Sequence, residues 1–528
     1  MTSRDHQRSR VGITIRELPE VRPSALRALA RPAQAVAVFA SLLLLAGCGS
    51  PGEAPAPAGE AAPFDFAGVW SALLEHDGTS SAFILELDRS EEGTLDARIT
   101  IPEIEVYALP AGKAQVSGLQ IKVGPLVLTR DAGGAHLRGV IPKALLPVHS
   151  IEAVFSKIPG VPPQVAPPPP PPSREPAWTF TTGSPVWAGV ILADGVLFAG
   201  SDDGSVTALD ARTGAKRWSF PTEGAIRARP TLSGRSLLVQ SDDGHLYCLD
   251  AVSGRRIWRA EAGGPVTRTD PEAPGSRYVF GAASPVVDGA TVYVAHPEGA
   301  LVAVALQDGK RRWSRETGDP VTATPLVHDG LIYVGSFNGR LMALNADGGA
   351  PVREHDTGAP VTSSPALLDN LVISGSRSYD LFALHASDLS PAWTHYMWFS
   401  WVESSPTVDG GMVYVGSSDG QMLHAIDGSD GRVVWKYDTG GSAWGSPAVT
   451  ADEVFIGSVG VAAYTIDHRG GFHAVDRESG EGIWRYVAER PEGAKLWGFA
   501  GSPAAGNGMA YAGGLDGRIY AFRALPGP

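Results

Sequence analysis

From residue 176 to the C-terminus, short apolar-alternating runs recur behind fixed turn residues. Leu331-Ile-Tyr-Val-Gly335 reads as a strand. Phe337-Asn338-Gly339-Arg340 reads as a turn, and Leu341-Met-Ala-Leu344 as the next strand. An Asp/Gly turn and a final strand complete the unit. Gly204-Ser-Val-Thr-Ala-Leu-Asp210-Ala-Arg-Thr-Gly214-Ala-Lys-Arg-Trp218 is repeated 40 residues later, ending at Trp258. Further copies place Trp at 313, 393, 435 and 484, and Trp178 leads the series. Near Arg353 the Trp is lost. Each unit opens on a Ser-Pro or Thr-Pro pair, as at Ser284-Pro285, Thr324-Pro325 and Ser364-Pro365. A lone four-stranded sheet leaves apolar faces uncovered, so neighbouring copies must stack, and radial closure limits exposed edges. Counting through the Ser-Pro positions predicts eight units, beginning near 185, 225, 282, 321, 361, 402, 444 and 500. The last stops one strand short, and Pro176–Phe180 can supply that strand. The expected architecture is all-β, an eight-bladed β-propeller over 176–528 closed by its own termini.

Residues 64–157 carry several short alternating segments, among them Ser81–Leu87 (SAFILEL) and Leu95–Ile101 (LDARITI). They predict a small antiparallel β sandwich or barrel with a packed core. Residues 158–175 include six consecutive prolines, Pro167 to Pro172. Proline fixes φ and removes a donor, so this stretch is expected to be an extended, semi-rigid linker.

The N-terminus reads as an address. Residues 1–47 carry a local charge of +4, and Ala35–Gly47 (AVAVFASLLLLAG) has no charge. That run is shorter than the roughly 20 apolar residues a membrane-spanning helix needs. It fits a signal-peptide core. Leu45-Ala46-Gly47-Cys48 resembles the lipobox of bacterial lipoproteins, which implies cleavage before Cys48 and lipidation of its thiol. The Ala-, Pro-, Gly- and Glu-rich residues 48–63 would then form a flexible tether. No Asp follows the cysteine, which favours the outer membrane, with the chain expected to face the periplasm.

The formal charge of the whole chain is -13, so no nucleic-acid partner is expected. Only Cys48 and Cys248 occur, which excludes a multi-disulfide scaffold and a four-thiolate metal site.

The motif Ala208-x-Asp210-x-x-Thr213-Gly214-x-x-x-Trp218 resembles the repeat of the pyrroloquinoline-quinone (PQQ)-like propellers, over residues 176–524. The resemblance implies that Trp218, Trp258, Trp313, Trp435 and Trp484 dock between adjacent blades, each indole N–H meeting a backbone carbonyl. Asp210 and Asp250 are expected to cap turns. Proteins with this repeat divide into quinoprotein alcohol and sugar dehydrogenases, which hold PQQ and a divalent metal, and non-catalytic scaffolds such as the lipoprotein of the outer-membrane barrel-assembly machinery. Fold does not choose between them. A calcium site needs six to eight oxygen ligands, and no convincing acidic cluster is legible around Asp270, Glu272 or Glu403. Neither a haem-attachment motif nor a nucleophile elbow occurs. His468 and His473 are read as turn-surface residues. No catalytic residue, metal or cofactor is therefore predicted, with PQQ and Ca2+ kept as the alternative.

Aromatic residues gather where inner strands begin: Trp187, Tyr396, Trp398, Trp401, Trp444 and Trp497. They predict a collar at one channel mouth, suited to a peptide, a glycan or an apolar ligand. The sequence thus points to a lipid-anchored scaffold that binds an envelope protein, with the barrel-assembly machinery as the partner the resemblance implies. A glycan-binding envelope protein is the other reading.

Overall fold

In a computed structural model, the described residues run from 65 to 525, apart from 77–78, 91–92, 102–105, 125, 132–135, 142–150, 159–169, 268–280, 398–399 and 463–467. The signal segment, Cys48, the tether, Trp398, Asp270 and Glu272 lie outside them. The fold is all-β: a closed eight-stranded barrel precedes an eight-bladed propeller.

The barrel strands are β1 (Gly68–His76), β2 (Thr79–Arg89), β3 (Leu95–Ile101), β4 (Val106–Ser117), β5 (Gln120–Val123), β6 (Leu126–Arg130), β7 (His136–Ile141) and β8 (Ile151–Ile158). Each pairs antiparallel with the next, and β1 meets β8 through Val69↔Ile158 and Ser71↔Ser156. Alternation decides what points inward: Ile121 and Val123 are buried while Gln120 and Lys122 face water. Trp70, Phe83, Leu85, Leu128 and Phe155 fill the interior, with the Phe83 and Phe155 rings edge-on at 5.7 Å. Trp70 is almost fully buried, and its indole N–H donates to the Phe66 carbonyl at 2.9 Å.

Blade 1 runs from Ile191–Ala193 to Lys216–Pro221 and blade 2 from Thr231–Ser233 to Arg256–Glu261. Blade 3 runs from Val286–Asp288 to Arg311–Glu316 and blade 4 from Leu326–His328 to Pro351–Asp356. Blade 5 spans Ala366–Leu368 to Pro391–Tyr396, blade 6 Thr407–Asp409 to Val433–Asp438, and blade 7 Ala448–Val449 to Gly482–Val487. Blade 8 takes three strands from the C-terminal end and its fourth, β9 (Trp178–Thr181), from the start of the propeller. The latch is in register, Arg518↔Thr181 through Ala521↔Trp178.

The repeat motif explains itself in this geometry. Asp210 Oδ1 accepts from the Thr213 amide and hydroxyl at 3.0 and 2.9 Å, capping the turn. Gly214 follows at φ 73°, where a side chain is strained. The indole of the preceding blade lies over it, and a Cβ at Gly214 would be 2.7 Å from Trp178. The motif alanine pairs with the tryptophan of its own blade, Ala208↔Trp218. Cys248 occupies that small-residue position in blade 2, opposite Trp258, and is fully buried. Burial pushes its thiol pKa up, so it is a packing residue.

The docking indoles bond to the next blade: Trp178 to the Ala211 carbonyl, Trp218 to Ala251, Trp258 to Leu306, Trp313 to Ala346, Trp393 to Gly428 and Trp435 to Arg477, at 2.9–3.1 Å. Trp484 departs from the expectation. Its Nε1 has no hydrogen-bond partner among the described residues. The ring packs instead among Phe455, Phe472 and Phe522, under the Arg174 guanidinium.

Arg174 belongs to the end of the proline-rich stretch, and here the linker expectation needs correction. Residues 172–174 are not spacer but an added edge on blade 7: the Pro172 carbonyl accepts from the Arg485 amide and the Arg174 amide donates to the Arg485 carbonyl. Pairing an otherwise open strand edge limits association with other chains.

Candidate functional site

The blades converge on a central cavity of about 720 Å³ lined by residues from all eight. Its wall is built from the positions that open each repeat: Gly189, Arg229, Ser284, Thr324, Ser364, Ser405, Ser446 and Ser502. The hydroxyls tie blade to blade. The Ser284 amide donates to Thr324 Oγ1, Thr324 to Ser364 Oγ, Ser364 to Ser405 Oγ and Ser446 to Ser502 Oγ, at 2.8–3.0 Å. These amides sit at chain entry points with no strand partner, and buried amides must be satisfied. That requirement accounts for the recurrent Ser-Pro and Thr-Pro pairs.

Two ion pairs lie in this wall. Arg227 clamps Asp202 with Nε at 2.9 Å and Nη2 at 2.7 Å, and its guanidinium stacks over Trp187 at 5.0 Å. Arg377 Nε meets Glu403 at 2.6 Å, stacked on Trp401 at 4.4 Å and Phe337 at 5.3 Å. Planar guanidinium faces suit aromatic rings, and their edges suit carboxylates. Arg229 stands apart: its Nε donates to the Val190 carbonyl at 3.1 Å, and no described carboxylate pairs with it. Burial alone pulls its pKa below the usual arginine range.

The predicted aromatic collar is only partly assembled. Trp187 and Trp444 line the cavity, with the Trp444 indole donating to Ser418 Oγ at 2.9 Å. Trp401 reaches it through Arg377 and also packs against the barrel. Tyr396 does not face the channel: it is 2 % exposed and joins the barrel's core cluster with Tyr379, the two rings edge-on at 6.3 Å. Trp497 is also displaced from the collar. The strand containing it pairs with the extended end of Glu453–Val461. Its ring lies against Gly460, where a Cβ would be 2.1 Å away, and under Arg490. An inserted segment re-aims that tryptophan, so a position count alone misplaces it. Arg229 and Arg377 went unnoticed in the sequence, and Phe337 was read only as a turn residue. For Arg229 the signal was present, as Arg229-Pro230 stands where other units have Ser-Pro.

The histidines also need correction. His468 and His473 are each 4 % exposed rather than turn-surface residues. His473 bridges Tyr437 Oη at Nδ1 and Ser458 Oγ at Nε2, both at 3.1 Å. Burial pushes its pKa down to about 3, so the ring is neutral and structural.

The cavity's residues do not suit a quinone–calcium centre. The one carboxylate among the described lining residues, Glu403, is held by Arg377. Among the described residues no group of three His, Cys, Asp or Glu side chains is placed to hold a metal. A calcium ion needs six to eight oxygens, with carboxylates prominent. No described helix is long and apolar enough to cross a membrane.

Among curated proteins, none is similar enough to this chain to count as a match. Solved structures resemble it at the level of fold. BamB from Moraxella catarrhalis is 17% identical with a TM-score of 0.50, covering 66% of this chain and 99% of that one. Quinohemoprotein alcohol dehydrogenase from Comamonas testosteroni is 14% identical with a TM-score of 0.50, covering 67% and 78%. A europium-containing methanol dehydrogenase is 13% identical with a TM-score of 0.51, covering 66% and 93%. The sequence model described as outer membrane protein assembly factor BamB matches residues 170–395 and 342–527. These stretches together span well over half of the 528 residues, and the chain belongs to that family.

Proposed function

We propose that this chain is a non-catalytic, lipid-anchored scaffold of the bacterial envelope that binds other envelope proteins during outer-membrane protein assembly. The observation that carries the reading is the state of the cavity wall. The hydroxyls of Thr324, Ser364, Ser405 and Ser502 are committed to blade-to-blade bonds, and the one carboxylate among the described lining residues to an arginine. General acid–base chemistry needs a group poised to exchange a proton with substrate. This wall instead offers hydrogen-bonding edges, two indoles and one unneutralised cation, which suits recognition. Family membership supports the assembly role. The lipobox at Cys48 supports anchoring, with the propeller in the periplasm.

The test is affinity capture of the full lipidated chain from detergent-solubilised envelopes, read by quantitative mass spectrometry. Enrichment of the barrel-assembly machinery over a Cys48→Ala control is expected. Capture of envelope polysaccharide without protein would replace this reading with a glycan-binding one.

A further inference from the structure

Six of the eight wall positions that open a repeat carry a hydroxyl, and the ring needs nothing larger there. Blade 2 places Arg229 at this position, and blade 1 makes room for it. A Cβ at Gly189 would lie 3.0 Å from Arg229 Cδ and 3.0 Å from the Ser502 carbonyl. The missing hydroxyl in blade 1 and the arginine in blade 2 are thus one paired departure from the repeat. Nε of Arg229 ties blade 2 to the Val190 carbonyl of blade 1. Arg229 is an exposed residue of the cavity wall.

Among the described residues, the remaining wall charges cancel. Arg227 is neutralised by Asp202 and Arg377 by Glu403. Among the described residues the cavity wall therefore presents one uncompensated positive charge within a ring of backbone and hydroxyl groups. A planar fork of N–H donors matches the two oxygens of a carboxylate. One cation matches one anionic group. A polyanionic chain would place its further charges against guanidinium groups that are already paired. The cavity is also too large for a carboxylate alone, and Trp187 and Trp444 offer apolar surface in its wall.

Resting on the scaffold reading above, we propose that Arg229 binds the C-terminal carboxylate of an extended polypeptide entering the central cavity. The chain end supplies the single charge, and its last side chains lie against the two indoles.

The experiment is fluorescence anisotropy with the full chain and a fluorescein-labelled hexapeptide, Gly-Ser-Ala-Thr-Val-Leu, either with a free C-terminus or amidated. The free acid is expected to bind about tenfold more tightly than the amide, the scale of one charge-assisted pair. Arg229→Gln should reduce the free acid to the level of the amide while leaving the amide unchanged, and Arg229→Lys should fall between. An unchanged melting midpoint in both variants shows that the fold is intact. Equal binding of acid and amide, no binding of either, or indifference to Arg229→Gln overturns the proposal. So does Arg229-dependent binding of a galacturonate trimer with none of the peptide, which assigns the site to an acidic glycan. Capture of envelope proteins without free-acid binding would sink this inference and leave the scaffold reading standing. Free-acid binding without such capture would do the reverse.

Discussion

The indole of Trp218 in blade 1 occupies the space that a side chain on Gly254 in blade 2 would need. A Cβ added at Gly254 would lie 2.6 Å from Trp218 Cδ2. Gly254 also sits at φ 72°. Two independent demands, backbone conformation and a neighbour's ring, converge on one residue. Gly254→Ala is expected to destabilise the propeller by about 2–4 kcal/mol, combining left-handed strain with overpacking. Urea denaturation would read it. In the Trp218→Ala background the cost should shrink to the conformational part, and an undiminished cost would show that the ring contact is not responsible.

Blade 4 shows what happens when the partnership lapses. Arg353 holds the tryptophan position, and the corresponding glycine of blade 5 is Leu389, at φ 59° and 3 % exposed. Leu389 packs with Leu384 and Ala386, filling space that an indole takes in other blades. Arg353→Trp alone should crowd Leu389, and Leu389→Gly alone should leave a cavity, each costing about 1–3 kcal/mol. The double substitution should recover most of the loss. Simple additivity in denaturant midpoints would mean that the two positions are uncoupled.

This pairing also shows how far the sequence was legible. Blade number, strand order and the terminal latch follow from a 40-residue period with one strand missing at the end and one spare at the start. The turn aspartates and most indole bonds follow from residue type. Tyr379 and Tyr396 were not readable as barrel contacts because nothing periodic marks where one folded unit meets another. Trp497 was misplaced because Leu496–Gly498 pairs with the extended end of Glu453–Val461, an added strand that the 40-residue period does not signal. The hydroxyl wall was visible as Ser-Pro pairs, but its purpose appears only when Thr324 Oγ1 is seen accepting the Ser284 amide.

Two tyrosines of blade 5 are part of the barrel's seat on the propeller. Tyr379 and Tyr396 are 6 % and 2 % exposed and cluster with the barrel core, and Trp401 packs against them. Tyr379→Ser with Tyr396→Ser removes two buried rings at the contact, each deletion worth about 3–5 kcal/mol where the site cannot collapse. Calorimetry should then resolve a barrel transition at lower temperature with the propeller transition nearly unmoved. A single, uniformly shifted transition would show that these tyrosines stabilise blade 5 rather than the junction.

Acid should weaken the propeller before its carboxylates titrate. Burial holds His395 at about 4 and His473 at about 3, and His424 also falls well below the ordinary histidine value. The His395 and His424 rings are 6.2 Å apart, so charging one opposes charging the other. Lys436 raises the cost for both, and Arg485 does so for His473. A folded-state pKa below the unfolded value of about 6.5 means that the unfolded chain binds protons first. The stabilising contribution is thus complete above pH 6.5 and is lost as pH falls towards 4. Each such histidine adds a slope of at most about 1.4 kcal/mol per pH unit. His473→Gln, which retains hydrogen-bonding capacity towards Tyr437 and Ser458, should flatten the decline between pH 6.5 and 4. Urea midpoints across that range measure the slope, and an unchanged slope in the variant would remove His473 from the set of acid-sensitive groups.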